Sequence, residues 1–187
     1  MNETSKTRGK EAVLQAAFRL LTDSGGIQPL TLGTVAQEAG MSKPGVLHHF
    51  PTMDHLRHAV LEHAARNLTE AMTRELTVDF DASTPVDRMR AYIEVTTSGR
   101  YVDSYFFFSI FADASYRPIA EQIWQEKFAQ WFELPDSMDR SSRRALILAR
   151  LAAEGFGTAD ATKLGPFRDA TDRAGVRAMI FDLLPDP

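Results

Sequence analysis

Residues 31–50 read TLGTVAQEAGMSKPGVLHHF, and this stretch decides the fold. Thr31 is a suitable N-cap for a short helix whose apolar residues repeat at helical spacing, and Gly40 is a suitable residue to end it. Ser42 then caps a second short helix, with Pro44 in its first turn, where a missing N–H group does no harm. Two short capped helices joined by a glycine-containing turn predict a helix-turn-helix motif.

The second of these helices is the candidate recognition element. In a helix-turn-helix motif the second helix enters the major groove of DNA, with its N-terminal residues on the base edges. Val46 and Phe50 are four residues apart and are expected to face the first helix. The other face then carries Lys43, Pro44, Gly45, Leu47 and His48. A plain α-hairpin inside a helical bundle would have the same spacing, so spacing alone leaves DNA binding open.

The rest of the chain also has helical periodicity. One apolar stripe precedes the Gly25-Gly26 pair, a longer helix begins after Thr52, and another begins at Thr84-Pro85. Four further helices are predicted over residues 104–115, 118–132, 139–156 and 169–184. No segment alternates with period two for long enough to form a strand. The predicted fold class is therefore all-α, with about nine helices.

Composition limits the possible functions. The 187 residues are 44% hydrophobic and 25% charged, as in globular proteins, and include no cysteine. The missing cysteine excludes disulfide scaffolds, cysteine zinc sites and thiol nucleophiles. The chain has no long apolar run and no apolar segment near its start, so we expect a cytoplasmic protein that does not interact with membranes. The net charge of −4 does not indicate a strongly basic nucleic-acid binder.

Aromatic residues and histidines are both clustered. Eleven of the 18 aromatic residues lie between Tyr101 and Phe132, too many for one helix face. They form either a bulky core or an apolar ligand pocket. No buried Arg or Lys stands out in this region, which favours a neutral, hydrophobic or aromatic ligand. His55, His58 and Glu62 have spacing that could hold a metal, but a solvated helix face is the favoured interpretation, so we expect no metal and no cofactor.

The two C-terminal helices predict an interface. The helix over residues 139–156 is apolar on nearly all sides, which requires burial on both sides. Together with the last helix it would form a four-helix interface between two subunits. A monomeric bundle core is the alternative. The candidate interface residues are Leu148, Ala152, Phe156, Met179 and Leu183.

Residues 8–63 resemble the DNA-binding domain of the tetracycline-repressor (TetR/AcrR-like) family of transcriptional regulators. The matching segments are RGKEAVLQAAFRLLTDSGG and LTLGTVAQEAGMSKPGVLHHFPTMDHLRHAVLEH, in the family's order. The turn over residues 39–42 and the His49-Phe50 ending are the most specific features. The remaining residues agree in length and helicity, and RLAAEGFGTADATKLGPF resembles the penultimate-helix region of some members.

The resemblance implies a DNA-binding domain over residues 1–60 and a ligand-binding and dimerisation domain over residues 61–187. The implied protein is a homodimeric repressor that leaves a pseudo-palindromic double-stranded DNA operator when a small effector binds. A regulator without an inducer, or an activator, is the alternative; no motif of an enzyme is present. The implied DNA-binding residues are Arg8, Thr31, Thr34, Ser42, Lys43, Pro44, Gly45, Leu47, His48 and His49. The implied ligand-binding residues are Met89, Ile93, Tyr105, Phe108, Phe111, Trp124, Phe128 and Trp131.

Two positions depart from the family pattern. Leu47 replaces a common tyrosine and cannot donate a hydrogen bond to DNA, although it can contact a thymine methyl group. Met53 replaces a common lysine and cannot pair with a phosphate. Because few basic residues remain on the expected DNA face, hydrogen bonds and shape are expected to contribute more than counterion release.

Overall fold

The computed structural model describes residues 3–23, 30–99, 117–162 and 165–186. These parts contain eight α-helices and no strand, which confirms the predicted fold class. The helices are α1 (Glu3–Asp23), α2 (Leu32–Glu38), α3 (Lys43–His49), α4 (Met53–Glu75), α5 (Pro85–Thr97), α6 (Arg117–Ile123), α7 (Arg140–Thr162) and α8 (Ala170–Asp182). The helix predicted over residues 104–115 lies outside the described residues, as do Tyr105, Phe108 and Phe111. Within the described ranges, no helix has the length and apolarity needed to cross a membrane.

The first three helices pack around one small core. Val13 from α1, Val35 from α2 and Val46 from α3 are all fully buried, and Phe50 closes the end of α3. The turn between α2 and α3 uses Gly40 at a φ of 63°, a left-handed conformation that glycine adopts without strain. These contacts fix the position of α3 relative to α1 and α2.

Helix α4 joins this core to the rest of the protein. Its first half packs against the N-terminal helices through buried Leu56 and Val60, and its second half contributes buried Leu68 and Met72 to the core shared with α5. A movement of α4 would therefore act on both parts. The expected domain boundary at residues 60 and 61 falls inside this continuous helix.

Helices α5 and α7 form the centre of the C-terminal part. They approach closely where Gly157 of α7 meets Thr96 of α5: a methyl group on Gly157 would lie 3.0 Å from both Thr96 Cγ2 and the Thr96 carbonyl oxygen. Helix α7 extends to Thr162, six residues beyond its predicted end at residue 156. Helix α8 packs on both α5 and α7.

The segment after α6 differs from the predicted single helix over residues 118–132. The α-helix ends at Ile123 and is followed by a π-helical stretch, Trp124–Phe128, and a 3₁₀ turn, Ala129–Trp131. Within this stretch the Trp124 and Phe128 rings stack with centroids 5.3 Å apart.

Candidate nucleic-acid interface and effector site

Helix α3 begins with an ordered, uncharged cap. Ser42 Oγ accepts a hydrogen bond from the Gly45 N–H at 3.2 Å, Pro44 lies in the first turn, and that turn contains no acidic residue. Helix α2 begins with a capping box in which Thr31 Oγ1 accepts from the Thr34 N–H at 3.1 Å and Thr34 Oγ1 accepts from the Thr31 N–H at 3.0 Å. Both helix N-termini therefore present electropositive ends without a competing carboxylate.

The outer face of α3 carries the side chains named from the sequence. Val46 points into the core, whereas Lys43, Pro44 and His48 are exposed and Leu47 is 38% exposed. Gly45 is half-buried beside the Ser42 cap. This arrangement gives α3 one side fixed by the core and one side free to enter a groove.

Lys43 lies beside the first turn of α2. A methyl group on Gly33 would be 3.2 Å from Lys43 Cε and 3.5 Å from its ammonium nitrogen, and Thr31 Oγ1 is close to the same point. The ammonium group of Lys43 and the electropositive N-terminus of α2 are thus side by side. Two such groups can contact the same stretch of DNA backbone.

The two histidines at the end of α3 point in different directions. His48 is exposed, whereas His49 is half-buried against α1, and their rings meet edge to face with centroids 5.2 Å apart. Arg8, also named from the sequence, is exposed on α1.

The histidines of α4 contact other protein groups. His55 Nδ1 lies 2.8 Å from Thr52 Oγ1, and His58 Nε2 lies 3.5 Å from Glu62 Oε1. His63 packs edge to face on Phe18, with ring centroids 5.4 Å apart. Among the described residues, no three His, Cys, Asp or Glu side chains are arranged to hold a metal ion.

A cleft of about 650 Å³ separates the N-terminal helices from α6. Lys10 and His49 line it on one side, His55 and His58 of α4 line another, and Ile119 of α6 contributes the far wall. The cleft is therefore bordered by residues of α1, α3, α4 and α6.

The residues expected to line a ligand pocket fall into two groups. Met89, Ile93, Phe128 and Trp131 are buried, and Trp131 packs on Phe80 with ring centroids 4.8 Å apart. Trp124 is only half-buried, and its ring is parallel to that of Phe132 with centroids 5.4 Å apart. Trp124 is thus the member of the described set with an accessible ring.

Trp124 belongs to a cluster that sequence reasoning did not identify, the aromatic–ion cluster of Tyr92, Trp124, Phe132, Arg150 and Glu154. The Arg150 guanidinium carbon lies 4.0 Å from the centre of the Phe132 ring and 4.7 Å from that of Trp124. Arg150 Nε donates to Glu154 Oε1 at 2.8 Å. The sequence analysis noted no buried Arg or Lys among the aromatic residues, and Arg150, from a later helix, is half-buried beside them. The i, i+4 spacing of Arg150 and Glu154 in a largely apolar helix was the signal that could have found them.

Tyr92 completes the cluster from α5. Its hydroxyl donates to Glu154 Oε1 at 3.3 Å, and its ring meets Phe132 edge to face at 4.9 Å. Burial raises the pKa of Tyr92 above its ordinary value, and the Glu154 carboxylate raises this pKa further. Tyr92 therefore remains a neutral donor, and the cluster combines flat aromatic surfaces with one carboxylate and one guanidinium.

The C-terminal helices leave an apolar face uncovered. Five exposed apolar side chains form this surface, which we call the apolar face: Ile147, Leu148 and Leu151 of α7, and Val176 and Met179 of α8. Leu148 is 53% and Met179 67% exposed, and Ala152 and Leu183 are half-buried at the same helices. Phe156, also named for the interface, is instead 4% exposed because it packs on Phe167 inside the chain. Its side chain is a core residue and does not belong to this face.

Two arginines of α8 bind residues of α5 and α7. Arg173 donates to Asp160 at 2.6 and 2.8 Å and to the Thr97 carbonyl oxygen at 3.1 Å. Arg177 pairs with Glu94 and donates to Thr97 Oγ1 at 2.9 Å. The hydrogen bonds from Arg173 lower the pKa of Asp160, so this pair stays charged at neutral pH.

Comparison with known families and proteins gives a consistent result. Residues 13–60 match the family of bacterial regulatory proteins named tetR, and residues 86–185, more than half of the chain, match the tetracyclin repressor-like C-terminal domain. The HTH-type transcriptional regulator BetI of Stenotrophomonas maltophilia (strain R551-3) is 32% identical over 95 residues, which are 51% of this chain and 45% of that protein. The match thus spans less than half the length of that curated relative.

Solved structures share the fold over most of the chain. A TetR-family member from Streptomyces coelicolor A3, SCO1917, superposes with a TM-score of 0.64 at 18% identity, covering 95% of this chain and 99% of that one. The multidrug binding protein EbrR, in complex with malachite green, superposes with a TM-score of 0.61 at 18% identity, covering 95% and 98% of the two chains. At this level of identity the likeness concerns the fold alone.

Proposed function

Because the chain belongs to the tetracyclin-repressor (TetR) family of transcriptional regulators, we propose that it is a dimeric repressor that a small aromatic molecule releases from its operator. The family consists of transcription factors rather than enzymes, so the site is a binding site. The proposed repressor acts in the cytoplasm, where it meets the DNA. The observation that carries the DNA-binding part is the exposed N-terminal half of α3, which carries Lys43 and no acidic residue and is fixed from behind by Val46 and Phe50.

In the proposed complex α3 lies in the major groove and α2 braces it across the backbone. Residues 1–60 act as the DNA-binding unit and residues 61–187 as the effector and dimer unit, with α4 shared between them. Lys43 and the N-terminus of α2 contact phosphates, Leu47 contacts a thymine methyl group, and His49 donates to a phosphate. A dimer doubles these few contacts and matches a pseudo-palindromic operator.

The DNA interface is tested with Lys43→Ala and His49→Ala. Each is expected to lower affinity for the DNA upstream of the protein's own gene by about tenfold, because each removes one phosphate contact per subunit. Lys43→Ala also lowers the salt dependence of binding, whereas His49→Ala changes it little, since a neutral imidazole releases no counterion. A mobility-shift titration at several salt concentrations measures both effects.

Lys127→Ala is the matched control for Lys43→Ala, because it removes the same charge from an exposed residue of the π-helical stretch. It is expected to bind the DNA as the wild type does. Wild-type affinity in both the Lys43→Ala and His49→Ala proteins would contradict the assignment of α3 as the recognition helix.

The dimer of the proposal forms through the apolar face. Large apolar side chains are exposed together on two neighbouring helices. An exposed apolar patch of this kind marks an interaction surface. Because a two-fold interface brings the same surface of both subunits together, α7 and α8 of each subunit would form a four-helix contact.

The effector of the proposal binds at the aromatic–ion cluster, where a flat ligand could lie against Trp124 and Phe132. Malachite green and ethidium are suitable first probes, because the structurally similar EbrR has been crystallised with each. A ligand that binds only the folded state raises the melting temperature, so a thermal-shift assay with each dye tests this part. The alternative, a regulator without an inducer, predicts no shift with any aromatic compound. An activator would bind DNA in the same way and would raise transcription of a reporter gene.

A further inference from the structure

Arg150 of the aromatic–ion cluster is held in place by part of its guanidinium group. Its Nε donates to Glu154 Oε1 at 2.8 Å, and its guanidinium carbon lies 4.0 Å from the centre of the Phe132 ring and 4.7 Å from that of Trp124. Glu154 is itself held by the Tyr92 hydroxyl, which donates to the same Oε1 atom at 3.3 Å. Arg150 is therefore fixed through its Nε group and through the two rings.

The opposite edge of this guanidinium group has no protein partner. Among the residues that the structure describes, no backbone or side-chain oxygen accepts a hydrogen bond from Nη1 or Nη2 of Arg150. The side chain is 29% exposed, and neither nitrogen is closed off from solvent. Because the two N–H groups of this edge are parallel, they can bind one planar carboxylate with two hydrogen bonds.

The other half-buried arginines from α5 to α8 use this part of the side chain within the protein. Each of them donates from Nη2 to a protein oxygen: Arg88, Arg143, Arg173 and Arg177. In the described part of these helices, Arg150 is thus the half-buried arginine whose two terminal nitrogens both remain open to a ligand. Its position is fixed before the ligand arrives, which lowers the entropy cost of binding.

We propose that the effector is an aromatic carboxylate, whose carboxylate binds Nη1 and Nη2 of Arg150 and whose ring lies beside Trp124. This inference rests on the proposed function, which places a small aromatic effector at the cluster, and it adds the charge of that effector. The ligand joins the cluster while Arg150 and Glu154 keep their present contacts. A cation would instead compete with the Arg150 guanidinium for the same aromatic faces and the same carboxylate.

The charges of the cluster favour a ligand with a single negative charge. Arg150 is the basic member of the cluster and Glu154 the acidic one, so one carboxylate at the open edge meets one guanidinium. A phosphate dianion would bring a second negative charge towards Glu154 with no further basic member to balance it. A neutral amide would form the weaker, uncharged kind of hydrogen bond with Arg150.

Three probes with the same ring system test this charge preference: 2-naphthoate, the neutral 2-naphthamide and the cation 2-naphthylmethylammonium. Malachite green and ethidium are both cations, so they test the aromatic faces but not the preference for a carboxylate. Calorimetric titration of the full chain without DNA is expected to show that 2-naphthoate binds about tenfold more tightly than 2-naphthamide. The cation is expected to bind most weakly of the three.

Two variants of the ion pair identify the groups that bind the probe. Arg150→Lys keeps the positive charge but removes the two-donor edge, so affinity for 2-naphthoate is expected to fall about tenfold and affinity for 2-naphthamide much less. Glu154→Gln keeps an oxygen for Arg150 Nε and removes a negative charge, so affinity for 2-naphthoate is expected to rise about two- to threefold. Arg140→Lys, at the exposed first residue of α7, is the matched control and is expected to bind 2-naphthoate as the wild type does.

The outcomes separate this inference from the proposed function. Equal affinity for 2-naphthoate and 2-naphthamide, or tighter binding of the cation, overturns the carboxylate and leaves an aromatic effector at the cluster. An equal loss of affinity for 2-naphthoate and 2-naphthamide in Arg150→Lys also overturns it, because Arg150 would then act through the shape of the cluster. Binding of none of the three probes overturns both this inference and the placement of the effector at the cluster. The DNA-binding part is measured separately by the mobility-shift titration.

Discussion

Replacing Met179 by glutamate is expected to convert the proposed dimer into a monomer at micromolar concentration. Met179 is 67% exposed on the single chain, so a carboxylate there remains solvated and the monomer folds normally. In the proposed dimer the same position is covered by the partner subunit. Each subunit then buries an unpaired charge, at a cost of several kcal/mol per ion. Leu148→Glu on α7 is expected to have the same effect for the same reason.

Sedimentation velocity measures the outcome, and Val78→Glu is the matched control. Val78 is 46% exposed in the connection between α4 and α5, away from the apolar face, so the same kind of substitution there should leave the dimer intact. Operator affinity of the Met179→Glu protein is expected to fall by about a hundredfold or more. In a dimer the second subunit is held close to the second half-site, and a monomer loses this high effective concentration. A Met179→Glu protein that remains dimeric would place the interface elsewhere. A wild-type protein that is monomeric would contradict the proposed dimer.

The parts of the fold that local sequence rules control could be predicted. Thr31, Ser42 and Thr52 cap the starts of α2, α3 and α4, as their side-chain chemistry indicates, and Gly40 adopts the left-handed turn. The inward direction of Val46 and Phe50 followed from a spacing of four residues. These rules depend only on residues within about one helical turn, so they can be applied to a single sequence.

The parts that depend on packing between distant segments could not be predicted. The chain forms a π-helical stretch over Trp124–Phe128, where periodicity indicated a plain α-helix. The Phe156 side chain packs on Phe167, and only the fold shows that it is turned away from the apolar face. The close contact of Gly9 with His49 joins residues 40 positions apart, and no local pattern marks it.

The same distant contacts connect the proposed effector site to the other two surfaces. Helix α5 carries Tyr92 of the aromatic–ion cluster and, at its end, Glu94 and Thr97, which bind the α8 arginines. Helix α8 carries Met179 of the apolar face on its outer side. A ligand that moves α5 therefore acts on the dimer arrangement through α8 and on the N-terminal helices through α4, which packs against α5.

This arrangement leads to the second large expected effect: operator DNA is expected to weaken binding of the aromatic probe that passes the thermal-shift test by about 5- to 150-fold. A ligand changes an equilibrium between two states only by its differential affinity for them, and coupling free energies are typically about 1–3 kcal/mol. Because the coupling is reciprocal, the probe must weaken operator binding by the same factor. Calorimetric titration of the probe, with and without operator, measures the factor directly.

Two tryptophan variants test whether the effector binds at the aromatic–ion cluster. Trp124→Ala is expected to lower affinity for the probe and to leave ligand-free operator binding intact, because the ring is half-buried and rests against Phe132 at the accessible cluster. Trp131→Ala is the contrasting variant, since Trp131 is buried against Phe80 and its loss should destabilise the fold by about 3–5 kcal/mol. Equal probe affinity with and without operator would exclude induction by that probe. Loss of ligand-free operator binding in Trp124→Ala would instead identify Trp124 as a core residue, and the effector would then have to bind outside the aromatic–ion cluster.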